Sequence, residues 1–248
     1  MIYICIPAHN EARTLGVLLW KIRRVLKEFD RDYRVLVLDD ASTDDTSEVL
    51  ERYRQVLPLE VLHSSERLGH GGSLDRGLRH IVAAAPYPKR DIAVTLQADF
   101  TEGPEHLVPL VKAIEGGADI VSGMVEEIGG QPRSVEFLRW LARRVLRGST
   151  AAAPVRDPLC GLRAYRVVVL RKALRERGER PLAEGSGWTA NLELARELTP
   201  YARRISDTPV SLRYDLRRRR SRMRLISTIR GLLRARKLAW LPSQEGVQ

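Results

Sequence analysis

The sequence predicts an α/β fold: a mixed, mainly parallel sheet flanked by helices, forming a single domain that is followed by a basic C-terminal helical segment. Three observations predict it. The first 125 residues alternate short apolar, β-rich runs with helical periods, the pattern of a parallel sheet assembled from βαβ units. Those runs are apolar nearly throughout, as expected when helices cover both faces of a sheet. Charge is also unevenly divided. The 248 residues carry a formal net charge of +11, yet residues 1–216 hold 32 basic and 30 acidic side chains. The excess lies in residues 217–237, which contain ten basic residues and no acidic one. With 44% hydrophobic residues, the near-neutral body has enough apolar material for a sizeable core.

Strand candidates occupy residues 2–6, 33–38, 59–63, 92–96 and 120–122. Between the first two, residues 12–29 place Leu15, Leu18, Leu19, Ile22, Val25 and Leu26 on one helical face. Residues 46–57, 72–85 and 104–115 read as helices in the same way, the last with Pro104 in its first turn. Beyond Gly129 and Gly130 a polar stretch leads to a basic amphipathic helix over 137–146, then to an Ala/Pro-rich loop and Asp157-Pro158-Leu159-Cys160-Gly161. Residues 162–216 mix a helix over 188–198 with strand-like runs such as 208–213. No internal repeat or low-complexity linker interrupts the chain. The parse is a domain over 1–216, divided into halves 1–125 and 126–216, and a basic amphipathic segment over 217–248.

Composition narrows the function classes. Cys5 and Cys160 lie far apart and outside any Cys/His cluster, which fits a reducing compartment and excludes a disulfide scaffold or structural zinc. The N-terminus has no basic region before its short apolar run, so no signal peptide is expected. No run approaches the roughly 18 apolar residues of a membrane span, so the expectation is a cytoplasmic protein with at most peripheral membrane contact. A body of net +2 is not a nucleic-acid coat, and no nucleic-acid partner is expected.

In a parallel sheet, ligands bind beyond the carboxyl ends of the strands. Those ends are rich here: Pro7-Ala8-His9-Asn10-Glu11, then Asp39-Asp40-Ala41-Ser42-Thr43-Asp44-Asp45, Glu66-Arg67-Leu68-Gly69-His70-Gly71-Gly72 and Gln97-Ala98-Asp99-Phe100-Thr101. Thr43 to Asp45 read as turn and cap residues. Asp39 and Asp40, adjacent at a strand end, suit a ligand base or ribose. The glycine turn could be a simple bend, or a phosphate contact at a helix N-terminus beside Arg67. Asp99, ending a buried strand opposite other carboxylates, is costly unless paired or bound to a cation. Mg²⁺ or Mn²⁺ bridging it to a nucleotide diphosphate would relieve that cost.

These segments, together with Asp157-Pro158-Leu159-Cys160-Gly161-Leu162-Arg163, resemble in order and spacing the family 2 glycosyltransferases of GT-A fold. Within that family the chain is most similar to the polyprenyl- or dolichol-phosphate mannosyltransferases, over roughly residues 1–225. The resemblance implies a nucleotide-sugar donor, a divalent metal (Mn²⁺ or Mg²⁺) and inverting transfer of a hexose to a lipid phosphate. It further implies that Pro7, His9, Asn10 and Glu11 meet the nucleotide, that Asp39 and Asp40 meet base and ribose, and that Arg67, Gly69 and Gly71 lie beside the diphosphate. Gln97, Ala98 and Asp99 match the metal-binding Asp-x-Asp motif. The first Asp is replaced by Gln97, so Asp99 becomes the main metal ligand with Gln97 adding a neutral oxygen, in a site of less negative charge.

A phosphate monoester acceptor is already anionic near neutral pH and needs cationic positioning rather than a general base. Arg133 and Arg139 match the arginines that hold acceptor phosphate in the resembling enzymes, and their other reading is as solvated helix cations. Asp157 matches an acceptor-side Asp and is the one candidate base should the acceptor be a hydroxyl. Arg217, Ser221 and Arg222 fall where the family has an Arg-rich motif near the phosphates. From Met223, the residues Leu225, Ile226, Ile229, Leu232, Leu233 and Trp240 recur at helical spacing among Arg224, Arg230, Arg234 and Lys237. Such a helix suits an anionic membrane surface or packing against the body. The favoured reading is mannose transfer from GDP-mannose to a polyprenyl or dolichyl phosphate at the cytoplasmic membrane face. Its rivals are a soluble glycosyltransferase acting on a sugar hydroxyl and a non-catalytic nucleotide-sugar- or RNA-binding protein.

Overall fold

The computed structural model describes residues 1–129, 133–146, 155–214 and 225–236. Among these residues, seven strands form one sheet in the order β3-β2-β1-β4-β6-β5-β7. They are β1 (Ile2–Ala8), β2 (Tyr33–Asp40), β3 (Leu59–Ser64), β4 (Ile92–Thr95), β5 (Ile120–Gly129), β6 (Arg163–Arg166) and β7 (Ile205–Arg213). The pairs β1/β2, β2/β3, β1/β4 and β5/β7 are parallel, and β6 runs antiparallel to both β4 and β5. The expected mixed, mainly parallel α/β sheet is the sheet found.

Helices α1 (Ala12–Phe29), α2 (Thr46–Arg54), α3 (Gly69–Ala84) and α4 (Leu107–Glu115) connect the first strands, a 3₁₀ turn over Pro104–His106 preceding α4. Helices α5 (Arg133–Leu146), α6 (Val167–Arg177), α7 (Trp188–Leu198) and α8 (Leu225–Arg236) follow. The α1 face carrying Leu15, Leu18, Leu19, Ile22 and Leu26 is buried and joins Ile4, Ile6, Val35, Val37 and Val94 in one core layer. Each such side chain contributes about 1.5–3 kcal/mol when withdrawn from water. On the opposite face of the sheet, Leu74, Leu78 and Ile81 of α3 pack with Leu170 of α6 and Leu194 and Leu198 of α7.

Several elements differ from expectation. The 72–85 helix begins earlier, at Gly69, because the Asp40 carboxylate receives the Leu68 and Gly69 amides and so completes the first turn. The 46–57 helix ends at Arg54, before Pro58. The strand expected over 120–122 continues to Gly129, where β7 supplies a parallel partner. Strand β6 and helix α6 were not expected. Arginines at both ends of β6 conceal a buried strand, and the β-branched Val167-Val168-Val169 conceals a helix.

Helix α8 is only partly free to face outward. Leu232 is buried in a third cluster with Val135, Leu138 and Ala142 of α5, Leu159, and Trp188 and Leu192 of α7. The apolar stripe of this helix therefore packs in part against the body, whereas Leu233 is exposed.

Candidate active site

Strands β1, β2 and β4 run in the same direction, so the segments after them converge on one edge of the sheet. Pro7 lies within β1, one residue before its end. His9 Nδ1 lies 2.8 Å from the Asp40 carbonyl oxygen. Asn10 takes a left-handed backbone conformation, φ 51°. Its N–H donates to Ser42 Oγ at 2.9 Å, and its Oδ1 accepts the Thr43 N–H at 2.6 Å. Glu11 N–H donates to Thr46 Oγ1 at 2.9 Å. The loops after β1 and β2 are thereby laced into one wall.

Asp39 and Asp40 are both buried at the end of β2, with different partners. Asp39 accepts the Ser42 N–H at 3.2 Å and the Ser47 hydroxyl at 2.8 Å, and lies 3.1 Å from His63 Nδ1. Burial works against its charge, but the bonds from Ser42, Ser47 and His63 together hold its carboxyl below the usual range. Asp40 accepts the Leu68 N–H at 2.6 Å and the Gly69 N–H at 3.0 Å, and lies 3.3 Å from Arg67 Nε. A carboxylate there suits the positive end of the α3 dipole.

The sequence left the glycine turn open between a simple bend and a phosphate contact. The amides at Leu68 and Gly69 are committed to Asp40, and the Gly71 amide donates to the Gly185 carbonyl at 3.1 Å. These three N–H groups are hydrogen-bonded within the chain. Gly71 is required by close approach, since a Cβ there would lie 2.7 Å from the Gly185 oxygen and 2.8 Å from the Ala183 oxygen. His70 Nε2 lies 3.3 Å from Asn191 Oδ1. Burial lowers its pKa, against the opposing pull of Asn191, Asp99 and Asp40.

Beyond β4, Asp99 is 6% exposed. Its Oδ1 accepts the Thr101 hydroxyl at 2.6 Å and the Thr101 N–H at 3.1 Å. Ala98 is part of the core beneath it. Gln97 turns to Glu102, its N–H donating to Oε2 at 3.2 Å and its Nε2 to Oε1 at 3.3 Å. Glu102 also accepts the Gly161 N–H at 3.1 Å. Burial, reinforced by Asp99, pushes Glu102 up to about 7 despite the backbone amides that favour its charged form. Among the described residues, no group of three or more His, Cys, Asp and Glu side chains is arranged to hold a metal ion. The donor set instead suits an ion of the Mg²⁺ type, which binds through one or two carboxylates together with substrate phosphates.

Because β6 is antiparallel to β4, the residues that precede it return to this same edge. Asp157 Oδ2 pairs with Arg139 Nη2 at 2.6 Å, and Asp157 Oδ1 accepts the Leu159 N–H at 3.1 Å. Arg139, 7% exposed, also lies 5.7 Å from the centre of the Trp188 ring. Arg163, fully buried, donates to Ser122 Oγ and to the Asn191 and Pro158 carbonyls and so anchors the loop. Arg133 opens α5 and is exposed. Arg217, Ser221 and Arg222 lie outside the described residues.

A family model described as glycosyl transferase family 2 matches residues 3–174. The chain belongs to that family. Among curated relatives of this family 2 chain is an undecaprenyl-phosphate 4-deoxy-4-formamido-L-arabinose transferase of Edwardsiella ictaluri. It is 29% identical over 176 residues, covering 69% of this chain and 50% of that protein. A dolichol-phosphate mannosyltransferase of Pyrococcus furiosus is 28% identical over 172 residues, covering 67% of this chain and 46% of that protein. The chain thus spans about half the length of these relatives. A crystal structure of glucosyl-3-phosphoglycerate synthase from Mycobacterium tuberculosis, in complex with Mn²⁺, UDP-glucose and phosphoglyceric acid, superposes with a TM-score of 0.66. That match covers 96% of this chain and 80% of that chain at 22% identity, and it shows the shared GT-A fold.

In this family 2 domain, one edge brings together His9, Asn10, Glu11, Asp39, Asp40, Arg67, Gln97, Asp99, Arg139 and Asp157. The sequence assigned no individual role to Glu102, His70, Asn191 or Trp188. Glu102 lies between the Gln97–Thr101 segment and the helix expected from Pro104, and Asn191 lies within the helix expected over 188–198. The one signal for either was a polar residue at a position that helical or strand packing would fill with an apolar one.

Proposed function

We propose that this chain is a metal-dependent, inverting glycosyltransferase that moves a hexose from a nucleoside-diphosphate sugar to a polyprenyl phosphate. Mannose from GDP-mannose is the first donor to test. The observation that carries this reading is the 2.6 Å ion pair between Asp157 and the buried Arg139. Asp157, the candidate base for a hydroxyl acceptor, is committed to an arginine and to the Leu159 amide. An edge built this way favours an acceptor that arrives already ionised, as a phosphate monoester does. Curated relatives named for undecaprenyl phosphate and dolichol phosphate support the same acceptor class.

The residues divide by task. Asp39 and the loop of His9, Asn10 and Glu11 form the wall for base and ribose, and Asp40 holds Arg67 beside the diphosphate. Asp99, with Gln97 beside it, would hold Mn²⁺ or Mg²⁺, which when bound neutralises charge on the leaving diphosphate. Arg133, exposed at the start of α5, meets the acceptor phosphate, joined in this reading by Arg217, Ser221 and Arg222, while Arg139, paired with Asp157, holds the acceptor-side loop in place. No helix among the described residues is long and apolar enough to cross a membrane. Contact with a lipid surface would come from Phe137 and Trp140 of α5, 52% and 54% exposed and stacked 6.0 Å apart, with Leu233, Arg230 and Arg234 of α8.

Thermal unfolding in Mn²⁺ with GDP, UDP and their sugars tests the donor half of the reading. The expected result is a rise in melting temperature for one nucleotide class, lost on chelation and in Asp99→Ala. The absence of a shift with every nucleotide would overturn it.

A further inference from the structure

Asn191 sits in the second turn of α7 and is 2% exposed, and its polar atoms reach three separate segments. Its Oδ1 lies 3.3 Å from His70 Nε2, in the first turn of α3 on the donor side. Its Nδ2 donates to the Leu159 carbonyl at 3.1 Å, in the loop on the acceptor side. Its main-chain oxygen accepts Arg163 Nη1 at 2.5 Å, and the same guanidinium holds the Pro158 carbonyl at 2.6 Å. Because Nδ2 is the donor to Leu159, Oδ1 is the acceptor for His70, whose Nε2–H donates to it.

The opposite flank of that loop is held from the metal side. Gly161 donates its N–H to Glu102 at 3.1 Å, and Glu102 accepts both the amide and the side chain of Gln97. The fit is close: a Cβ on Gly161 would lie 3.0 Å from Asn191 Nδ2 and 3.0 Å from Gln97 Nε2. The segment 159–161 is therefore held between Asn191 and Glu102, with the Asp157–Arg139 pair just before it and Asp99 just beyond Gln97.

We propose that Asn191 is a positioning residue that fixes the spacing between the donor-side turn at His70 and the acceptor-side loop at Asp157–Gly161. It touches neither substrate in this account. It sets where one is held relative to the other, and a displacement of about 1 Å can reduce a transfer rate about 100-fold. The proposal rests on the transferase reading for its kinetic consequence, while its mechanical content can be measured without turnover.

Two variants test it: Asn191→Leu, which removes every side-chain bond, and Asn191→Asp, which keeps the shape and the acceptor but loses the donor to Leu159. Hydrogen exchange is followed in the full chain. In either folded variant, the amides of residues 159–161 should exchange at least about tenfold faster while those of β1 and β2 stay unchanged. Unchanged protection at 159–161 would overturn the proposal whether or not the protein turns over. Where the wild type transfers sugar to a polyprenyl phosphate, kcat should fall about 10- to 100-fold with donor KM and nucleotide Kd within about threefold. A loss confined to donor affinity or to melting temperature would also overturn it. Failure of the wild type to transfer sugar at all would count against the transferase reading, leaving exchange to decide the role of Asn191.

Discussion

Asp39 illustrates how single residues in this edge are set by their partners. Its carboxylate is buried, yet Ser42, Ser47 and His63 keep its pKa below the usual value of about 3.9. A depressed carboxyl pKa adds stability that is present above the unfolded-state pKa and is lost as pH falls through the folded-state value. Asp39→Asn should therefore unfold more easily at pH 7, by about 1–3 kcal/mol, the scale for leaving buried donors without their acceptor. The gap from wild type should close as pH drops below about 4, and urea titrations across pH 3–7 check it. A gap independent of pH would contradict the account. Residues of this kind were legible in the sequence because they stand directly after strands, where a parallel sheet puts its ligands. Glu102 and Asn191 were not. Their partners Gly161 and His70 lie 59 and 121 residues away in sequence, and no local pattern reports so distant a bond.

At the scale of elements, the βαβ core was readable because each strand was a short apolar run and each helix kept its period. Helix α1 runs over the expected residues, Ala12–Phe29. Legibility ends where tertiary partners decide. Strand β6 begins with Arg163, a charged residue whose burial depends on Ser122, Asn191 and Pro158. The start of α3 depends on Asp40. The contact between α3 and the 183–185 segment makes a prediction of its own. Gly71→Ala drives a methyl group into two backbone carbonyls, so it should destabilise the fold by about 1–3 kcal/mol. Chemical denaturation measures the loss, and an unchanged midpoint would show that the two segments separate readily. Gly69, where a Cβ would meet nothing within 4 Å, is the control for crowding, although its φ of 74° also favours glycine.

For the whole molecule, the net charge of +11 reads differently once it is located. Residues 1–216 are close to neutral, and the cationic excess joins a helix that packs partly against α5 and α7. The sequence showed the basic amphipathic helix but not that Leu232 would be buried, because periodicity gives a face without naming what covers it. Phe137, Trp140 and Leu233 are exposed, as are Arg230 and Arg234, and these are the side chains proposed to meet a lipid surface. Phe137→Ser with Trp140→Ser should lower binding to vesicles containing anionic phospholipid. Arg230→Gln with Arg234→Gln should lower it further, by about 1 kcal/mol per arginine, and added salt should mimic the second pair. Nucleotide affinity should be unchanged by all four substitutions. Vesicle binding that survives them would place the lipid contact elsewhere.

Sugar transfer to a lipid phosphate is tested by incubating the purified chain with sugar-labelled nucleotide donor, polyprenyl phosphate and Mn²⁺. The account predicts label in the organic-extractable lipid, absent after chelation and in Asp99→Ala, and formed with no hydroxyl acceptor present. Label that reaches only a hydroxyl acceptor, or that never leaves the nucleotide with GDP- or UDP-sugars, would contradict it.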